Sequence, residues 1–334
     1  MKKAGWQGMV DISIVMVNWN TKHLLLQSLG SIYQTSKKMK IEVWVVDNGS
    51  SDGSVTAVRE KFPVVLLIEN ENNLGFAKAV NQGLRKASGR YVLLLNPDTQ
   101  VKPGAIGQLV SFMNAHPDVG IAGAQLFNAD GSKQNSIANF PSLATELLNK
   151  NFLRWLFPGT FPGKERDYPE PIEVDSVIGA CMMVRRETVE QVGLLDENYF
   201  LFLEETDWCY RMKKVDWKIY HVPQAEVYHF QGKSAETVKK EARIEFYRSR
   251  YHFFKKNRGS LQWFILLIGL LIRLVFEFIA MIVASMITLF MIKGWRKKLS
   301  IYAYLFWWHL RFCPEGMGLT PIQRSLKNYC KVFL

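Results

Sequence analysis

The sequence has few of the features that mark several common classes of protein. Its four cysteines, Cys181, Cys209, Cys313 and Cys330, lie far apart and form no CxxC pair of the kind that binds metals. We therefore expect four free thiols without a functional role, in a reducing compartment. The composition, with 48% hydrophobic residues, also excludes an intrinsically disordered chain, a collagen and a disulfide scaffold.

Two nucleotide-binding loops are also missing, and we expect no signal peptide at the start of this sequence. The first apolar run is followed by Val17-Asn18-Trp19-Asn20-Thr21 and not by GxGxxG, which argues against a dinucleotide-binding fold. No GxxxxGK(S/T) occurs, which excludes a standard P-loop. Lys2 and Lys3 precede the apolar run Ile12–Val17, but this run is too short for the core of a signal peptide.

Acidic residues are scarce in the last quarter of the 334-residue chain. Residues 251–334 hold twelve Lys and Arg against two acidic residues, so they carry +10 of the net charge of +12. The same segment contains the most apolar run of the sequence. A segment that is both basic and apolar favours an anionic membrane as its partner, and we expect no nucleic acid.

The first hundred residues alternate short apolar runs with helical patterns. The runs predict strands at Ile12–Val17, Ile41–Val46, Val64–Ile68 and Tyr91–Leu95, with helices between them that include Ser54–Lys61 and Phe76–Ala87. This order predicts an α/β fold with a parallel, doubly wound sheet. Further along, the patterns predict a helix at Pro103–His116, a strand at Val119–Gln125, long loops over 126–172, a strand at Ser176–Val184 and a helix at Arg186–Val192.

Polar clusters follow three of the predicted strands directly. These are Asn18–Thr21, Asp47–Ser54 and Asn96–Thr99. Because ligands of such sheets bind beyond the carboxyl ends of the strands, the three clusters should converge there. A carboxylate at this edge binds a diphosphate only through a divalent cation, or it accepts hydrogen bonds from a base or a ribose.

Six segments resemble family 2 glycosyltransferases of the GT-A fold, and in particular their rhamnosyltransferase-like members. They are Val45–Ser54, Asn72–Gly83, Leu94–Thr99, Gly179–Arg186, Leu203–Arg211 and Val227–His229, in the order of the family. The resemblance covers residues 11–235 and implies a mostly parallel sheet with flanking helices. We accordingly predict a catalytic domain over 1–235, a helical linker over 236–260 and a membrane-associated helical tail over 261–334.

The resemblance implies a site for a nucleotide diphosphate sugar. Its residues would be Asn18, Asp47, Asn73, Asn81, Asn96 and Asp98. Asp47 would accept a hydrogen bond from the imide N–H of a pyrimidine base, although a turn carboxylate that caps a helix is the alternative. Asn81 could instead only fix a loop, and Asp52 could cap the helix that follows it.

The resemblance also implies a divalent cation, Mg²⁺ or Mn²⁺, held by Asp98 and His229. Such a cation would bridge the two phosphates and neutralise the leaving diphosphate. Asn96 stands where the DxD motif of the family has its first Asp, which removes one formal charge; this residue could instead contact the ribose or a water on the metal. A lone His is also commonly a packed residue, so His229 has a structural alternative.

Three acidic residues lie in the segment that carries the catalytic base in this family. The family pattern assigns the base to Glu205, where Asp is usual, and Glu204 and Asp207 are neighbours that could serve instead. A helix N-terminus rich in acidic residues is the alternative interpretation. A carboxylate opposite the leaving group suits inverting transfer, in which it takes the proton of the attacking hydroxyl.

The apolar run Leu261–Ile292 is expected to anchor the chain in a membrane. As one helix it would be about 48 Å long, whereas the hydrocarbon core measures roughly 30 Å. Five Lys and Arg in 246–260 face four in 293–307, so the positive-inside rule does not decide its orientation. We expect an anchor that lies in the plane or re-enters, with a full crossing as the alternative.

Small and polar residues form one stripe on this predicted helix. The stripe contains Gln262, Gly269, Arg273, Glu277, Ala280, Ala284 and Thr288, and Arg273 and Glu277 are spaced to pair. It indicates self-association into a homo-oligomer through 261–292, or else contact with the protein's own tail.

The sequence thus predicts an inverting glycosyltransferase at the cytoplasmic face of the cell membrane. It would move one sugar, with a deoxyhexose such as rhamnose as the candidate, from a nucleotide diphosphate sugar to a lipid-linked or cell-surface glycan. The Gln-x-x-Arg-Trp motif of processive family members is absent, which favours addition of a single sugar. The alternatives are a sugar-1-phosphate nucleotidyltransferase and an inactive nucleotide-sugar-binding scaffold at the membrane.

Overall fold

The computed structural model describes residues 10–36, 39–157, 159, 168–230 and 238–319. Cys330 and residues 320–334 of the predicted tail lie outside the described residues, as do 236 and 237 of the predicted linker. The structure divides into two compact units. The first comprises the described residues of Met1–Phe140, Arg154–Asn198 and Glu204–Ser234, and the second those of Pro141–Leu153, Tyr199–Leu203 and Ala235–Leu334.

Strands and helices alternate along the described chain. The first elements are β1 (Ile12–Asn18), α1 (Lys22–Thr35), β2 (Ile41–Asp47), α2 (Ser54–Lys61), β3 (Leu66–Glu69), α3 (Phe76–Lys86), β4 (Tyr91–Leu95), β5 (Thr99–Val101) and α4 (Ala105–Ala115). Next come β6 (Val119–Phe127), β7 (Ile137–Ala138), α5 (Leu143–Leu147), α6 (Lys150–Leu156), β8 (Ile172–Glu173), β9 (Ser176–Val177), β10 (Cys181–Arg185), α7 (Arg186–Val192), α8 (Glu204–Lys213) and β11 (Lys218–His229). The last are α9 (Lys239–Asn257), α10 (Ser260–Ile287) and α11 (Lys293–Leu310).

The first unit is built on a mostly parallel sheet with flanking helices, as predicted. The strand order is β3-β2-β1-β4-β10-β6-β11-β5. The short strand β8 pairs antiparallel with β11 outside this order. Strands β3, β2, β1 and β4 are mutually parallel, and β10 runs antiparallel between β4 and β6. Because β11 is parallel to β6, the carboxyl ends of β1, β2, β4 and β11 all lie at one edge of the sheet.

Apolar strands that are covered on both sides hold this sheet in place. All nine residues of β6 are buried, as expected for a strand that helices cover on both faces. On β1, Ile12, Ile14 and Met16 are fully buried in a core that also contains Leu25 and Leu29 of α1. Burial of these apolar side chains therefore stabilises the position of the strands in the sheet. The polar residues at the strand ends are not needed for this packing and can make other contacts.

The predicted strand Ser176–Val184 is divided in the structure. Ser176 and Val177 form β9, which pairs with β7 in a separate two-stranded sheet, whereas Cys181–Arg185 form β10 in the main sheet. The chain changes sheets at residues 178–180, which an apolar run cannot reveal. The predicted long loops over 126–172 contain β7, α5, α6 and β8 in their described part.

The described cysteines are free thiols, as expected. Cys181 and Cys209 are buried, and Cys313 is partly buried. Burial raises the pKa of Cys181 and of Cys209 to about 12, and that of Cys313 to about 11. These thiols are therefore protonated and unreactive at neutral pH.

Helix α10 of the second unit is long and apolar enough to cross a membrane, by length and composition alone. It has 28 residues, and its most apolar 18-residue window has a mean hydropathy of 2.6. The predicted pairing of Arg273 with Glu277 is present, with Nε and Oε1 2.8 Å apart. Large side chains such as Phe276 and Ile287 are 70% and 77% exposed.

The predicted single helix over 261–292 is wrong at its end, because α10 stops at Ile287. The N–H of Leu289 donates to the carbonyl of Met286, and that of Phe290 to the carbonyl of Ser285. This is a Schellman motif in which Leu289, at φ 48°, takes the place that glycine usually holds. Helix α11 then packs on α10, with the rings of Phe278 and Phe306 stacked at 5.5 Å.

The small-residue stripe on α10 is partly covered by the chain itself. A methyl group at Gly269 would lie 2.7 Å from Cδ2 of Leu147, so the glycine allows α5 to approach α10 closely. Both helices belong to the second unit. The structure thus corrects the prediction of self-association at Gly269, where the covering residue belongs to α5 and not to the tail.

Candidate active site

The polar ends of β1 and β2 interlock at the carboxyl edge of the sheet. The Nδ2 group of Asn18 donates to Oδ1 of Asp47 at 2.7 Å and to Oγ of Ser50 at 3.0 Å. The N–H of Ser50 donates to Oδ2 of Asp47 at 2.8 Å. Each carboxylate oxygen still has a second acceptor position, so Asp47 remains able to receive a ligand N–H while Asn18 orients it.

Asp52 connects the starts of two helices. Its Oδ2 accepts the N–H of Lys22 in α1 at 2.8 Å, and its Oδ1 accepts the N–H of Ser54 in α2 at 3.0 Å. Burial alone would raise the pKa of Asp52, but the hydrogen bonds from Ser54 and Lys22 outweigh it and lower that pKa. The geometry agrees with the capping interpretation of Asp52.

Asn48, which the sequence analysis did not single out, joins the β2 loop to the segment before α3. Its Nδ2 donates to Oδ1 of Asn73 at 2.8 Å, and its Oδ1 accepts the N–H of Leu74 at 3.0 Å. Asn73 in turn accepts the N–H of Gly75 at 2.9 Å. The side chain of Asn73 therefore shapes the loop, and the only sequence signal for Asn48 was its place in an Asn-Gly turn.

Gly49 is required by two features of this loop. Its φ is 79°, and a methyl group there would lie 2.9 Å from Cα of Asn72. We expect Gly49→Ala to cost roughly 1–2 kcal/mol for the left-handed backbone, and more for the displaced Asn72 backbone. Differential scanning fluorimetry should show a larger loss of Tm than for Gly104→Ala, where φ is 86° and no heavy atom lies within 4 Å. Equal losses would contradict the close approach.

The hydrogen bonds of Asn81 go to a different segment from those of the Asn18–Asp47 cluster. Its Nδ2 donates to the carbonyl of Leu195 at 2.9 Å and to Oε1 of Glu197 at 3.0 Å, and its Oδ1 accepts the N–H of Leu195 at 3.1 Å. It is 1% exposed. The amide thus fastens α3 to the chain before α8, which agrees with the loop-fixing alternative.

Asp98 and His229 lie side by side at the carboxyl edge. The strand pairing sets His229, the last residue of β11, opposite Thr99 of β5, directly after Asp98. Oδ1 of Asp98 and Nε2 of His229 are 3.4 Å apart, and both side chains are largely buried. Two ligands that bind one octahedral cation side by side are about 3 Å apart. This carboxylate and imidazole therefore fit a Mg²⁺ or Mn²⁺ ion.

No described cluster combines three or more acidic, His or Cys side chains as metal ligands. Among the described acidic, His and Cys side chains, Asp98 and His229 would thus be the two ligands of such a cation. Magnesium commonly takes one or two carboxylates and completes its shell with water and substrate phosphates. The pair is thus suited to a cation that arrives with a diphosphate.

Contacts across β4 and β10 bring Glu205 to the same part of the sheet edge. The N–H of Asn96, at the end of β4, donates to the carbonyl of Ala180 at 3.0 Å. The neighbouring Gly179 borders the glutamate, since a methyl group there would lie 3.5 Å from Cγ of Glu205. The partly buried Glu205 therefore lies against Gly179, whose neighbour Ala180 bonds Asn96, two residues before Asp98.

The three acidic residues of α8 have different environments. Glu204 is buried, and its Oε2 has no hydrogen-bond partner among the described residues. Burial and the adjacent charge of Glu205 raise the pKa of Glu204 well above its ordinary value. Burial also raises the pKa of Glu205, more than hydrogen bonds at Thr206 lower it. Glu205 thus combines partial exposure with a carboxyl group that accepts a proton more readily than usual.

Asp207 is enclosed and ion-paired. It is fully buried, and its Oδ2 accepts from Nε of Arg211 at 2.9 Å. The same guanidinium donates to the carbonyls of Val192 and Leu194. Asp207 is therefore placed to fix the start of α8 against the preceding chain, and the geometry favours Glu205 over it as a base.

Replacing Asp207 by Ala should lower the free energy of unfolding by about 3 kcal/mol. The reason is that Arg211 would lose the buried partner that neutralises it. Chemical denaturation measures the loss, with Glu187→Ala on exposed α7 surface as the control. An Asp207→Ala protein of undiminished stability that has lost turnover would show instead that Asp207 acts in catalysis.

The fold places the protein among the glycosyltransferases of the GT-A fold. A mostly parallel sheet carries an Asp–His pair and a glutamate at its carboxyl edge. The chain shares this fold with the mannosyltransferase PcManGT from Pyrobaculum calidifontis, solved with GDP-Man and Mn²⁺. The TM-score is 0.53 at 18% identity, over 92% of this chain and 90% of the other.

The chain belongs to glycosyl transferase family 2, whose model matches residues 13–193, and it is a glycosyltransferase. It is 29% identical, over 76% of its length, to an N-acetylglucosaminyl-diphospho-decaprenol L-rhamnosyltransferase of Mycobacterium tuberculosis, of which it covers 89%. It is also 26% identical to the dTDP-rhamnosyl transferase RfbF of Shigella flexneri, over 66% of this chain and 70% of that protein. The resemblance to rhamnosyltransferase-like members of the family is thereby confirmed.

Proposed function

We propose that this protein transfers one deoxyhexose, with L-rhamnose as the first candidate, from a nucleotide diphosphate sugar to a lipid-linked glycan. The names of the two relatives support the sugar, and the decaprenol-linked acceptor of the mycobacterial relative supports a lipid carrier. The transfer inverts the anomeric centre and adds a single residue. Mn²⁺ or Mg²⁺ serves as the cation.

The contact series from Asn96 through Ala180 and Gly179 to Glu205 carries the proposal. It connects the segment of Glu205, a carboxylate whose pKa burial raises, with the segment of the Asp98–His229 pair at one edge of the sheet. Glu205 takes the proton of the attacking acceptor hydroxyl while the bond between sugar and phosphate breaks. Asp98 and His229 hold the cation, which supplies positive charge for the leaving diphosphate. Asp47, oriented by Asn18, receives the imide N–H of the base.

The protein acts at the cytoplasmic face of the cell membrane, where nucleotide sugars are available. Two features of the second unit support this localisation. Helix α10 exposes large apolar side chains, and α11 begins with a basic segment that contains Lys293, Arg296, Lys297 and Lys298. Basic side chains beside an apolar helix attract anionic lipid. Protease access to the C-terminus in sealed vesicles separates an in-plane anchor, which we favour, from a crossing helix. Self-association through Ala280 and Ala284 stays a prediction, which the oligomeric state measured by sedimentation would test.

A donor panel tests the proposed function. The purified full chain in detergent is given Mn²⁺, a polyprenyl-diphosphate-linked GlcNAc acceptor, and in turn dTDP-, UDP- and GDP-sugars. We expect transfer from dTDP-rhamnose and chelator-sensitive turnover. Donor binding without transfer to any acceptor would favour the inactive scaffold, and pyrophosphate release from a nucleoside triphosphate with a sugar 1-phosphate would favour the nucleotidyltransferase.

A further inference from the structure

The imidazole ring of His229 is contacted at both nitrogens. Nε2 faces Oδ1 of Asp98 at 3.4 Å, and Nδ1 lies 3.0 Å from Oε1 of Gln134. Gln134 is 8% exposed and comes from the segment between β6 and β7. A neutral imidazole carries one proton, and Oε1 of Gln134 and Oδ1 of Asp98 both accept. The shorter contact at Nδ1 favours the proton there, and Nε2 can bind a cation beside Asp98 only when the proton is on Nδ1.

The orientation of the Gln134 amide is fixed by two further contacts. Its Nε2 donates to the carbonyl of His229 at 2.6 Å and to Oδ1 of Asn128 at 2.7 Å. Asn128 is itself oriented, because its Nδ2 donates to Oγ of Ser132 at 2.8 Å. The NH₂ group of Gln134 is thus fully used, and its oxygen, which only accepts, faces Nδ1 of His229.

We propose that Gln134 is a positioning residue that holds His229 as the Nδ1–H tautomer. The Nδ1–H donates to Oε1 of Gln134, and the lone pair of Nε2 points towards Asp98. Nε2 is then ready to bind a divalent cation together with the carboxylate. Partners of this kind orient a metal-binding His and fix its tautomer.

The backbone around Gln134 supports this role. Its N–H donates to the carbonyl of Leu126 in β6 at 2.8 Å, and β6 pairs in parallel with β11. Gln134 also bonds both the ring and the carbonyl of His229, so it fixes the end of β11 as well as the side chain. The inference rests on the proposed function only for the cation; the tautomer is a property of the protein alone.

Two variants separate the hydrogen bond from the packing of the side chain. Gln134→Met keeps the length of the side chain but offers no comparable acceptor to Nδ1–H. Gln134→Glu keeps an acceptor and loses the two bonds that the NH₂ group donates. Gln224→Met is the matched control, because Gln224 lies on the same strand as His229 but is exposed and bonds only the carbonyl of Pro169 in the described chain.

The experiment uses the ¹⁵N-labelled full chain in detergent. The His229 signals are assigned by their loss in His229→Asn, and Mn²⁺ affinity is read by electron paramagnetic resonance. We expect the Nδ1–H tautomer in the metal-free protein, an affinity about 10–100-fold weaker in Gln134→Met, a smaller loss in Gln134→Glu, and no change in Gln224→Met.

An Nε2–H tautomer in the metal-free protein, or unchanged Mn²⁺ affinity in Gln134→Met, would overturn the inference. If Gln134→Met does not fold, the tautomer of the unmodified protein decides. An inactive chain with the Nδ1–H tautomer and Gln134-dependent Mn²⁺ binding would contradict the proposed function and still support the role of Gln134.

Discussion

Replacement of Glu205 by Gln is expected to lower kcat by about 10²–10⁴-fold and to leave donor binding within about twofold. The amide has the shape of the carboxylate but accepts no proton at neutral pH. The residues proposed to bind the donor are Asp47, which Asn18 orients, and Asp98 and His229, which face each other, so the substitution should leave them in place. Initial rates of transfer measure kcat, and isothermal titration with the donor and Mn²⁺ measures binding.

Three further variants test whether the loss of kcat belongs to the carboxylate of Glu205 alone. Burial and the charge of Glu205 favour the neutral form of Glu204, so the neutral Glu204→Gln should retain most of the turnover. Glu205→Asp keeps a base one methylene shorter and should lie between the wild type and Glu205→Gln. Glu190→Gln, on the exposed surface of α7, serves as the control. Full activity of Glu205→Gln together with an inactive Glu204→Gln would move the base to Glu204.

The pH profile follows from the environment of Glu205. Burial raises the pKa of this carboxyl, and the base acts only when it is deprotonated. The value of kcat should therefore rise with pH through an apparent pKa above that of an ordinary glutamate, near 4.5. Loss of this rise in the residual activity of Glu205→Gln would assign it to Glu205, whereas an unchanged profile would assign it to another group.

Asp98→Asn is expected to have the second-largest effect, a loss of kcat/KM of about 100-fold. This corresponds to about 3 kcal/mol of lost stabilisation of the leaving diphosphate. The amide is a weaker ligand, so the Mn²⁺ concentration for half-maximal activity should rise and an excess of Mn²⁺ should restore part of the rate. His229→Asn should act in the same direction.

The control for this pair is Asp118→Asn. Asp118 forms a surface ion pair with Lys218 at 2.7 Å, with both side chains about half exposed. Such pairs contribute little to stability, so the control should have wild-type turnover. A Mn²⁺ dependence in Asp98→Asn that is indistinguishable from the wild type would remove Asp98 from the metal site.

The sequence predicted those parts of the fold that depend on local pattern. The predicted bounds of β4, α2 and α7 agree with the structure, because continuous apolar runs and helical spacing specify them. The meeting of Asn18 with Asp47 followed from the parallel order of β1 and β2. Neighbouring strand ends in a parallel sheet converge whatever the rest of the chain does.

Contacts between distant segments could not be predicted in this way. Asn81 bonds Leu195, and Gln134 bonds His229, across 114 and 95 residues of sequence. No periodicity reports such pairs. The contact of Gly269 with Leu147 also joins distant segments, so the sequence did not reveal it. The small-residue stripe alone therefore suggested self-association.

The different roles of the three acidic residues of α8 could be predicted from the sequence only in part. The spacing of Asp207 and Arg211, four residues apart on one helix, is visible in the sequence and predicts the ion pair. The packing of Glu205 against Gly179, in the segment where the chain changes from β9 to β10, is visible only in the structure. The family pattern already ranked Glu205 above its neighbours, and the structure adds the physical reason, because Glu204 and Asp207 are buried and Glu205 is partly exposed.

The anomeric configuration of the product tests the central claim most directly. A single base that activates the acceptor hydroxyl opposite the leaving diphosphate predicts inversion in one displacement. Proton NMR of the glycan formed from a donor of defined anomeric configuration reads the outcome. We predict that the transferred sugar has the configuration opposite to that in the donor. Retention of the donor configuration would contradict Glu205 as the base.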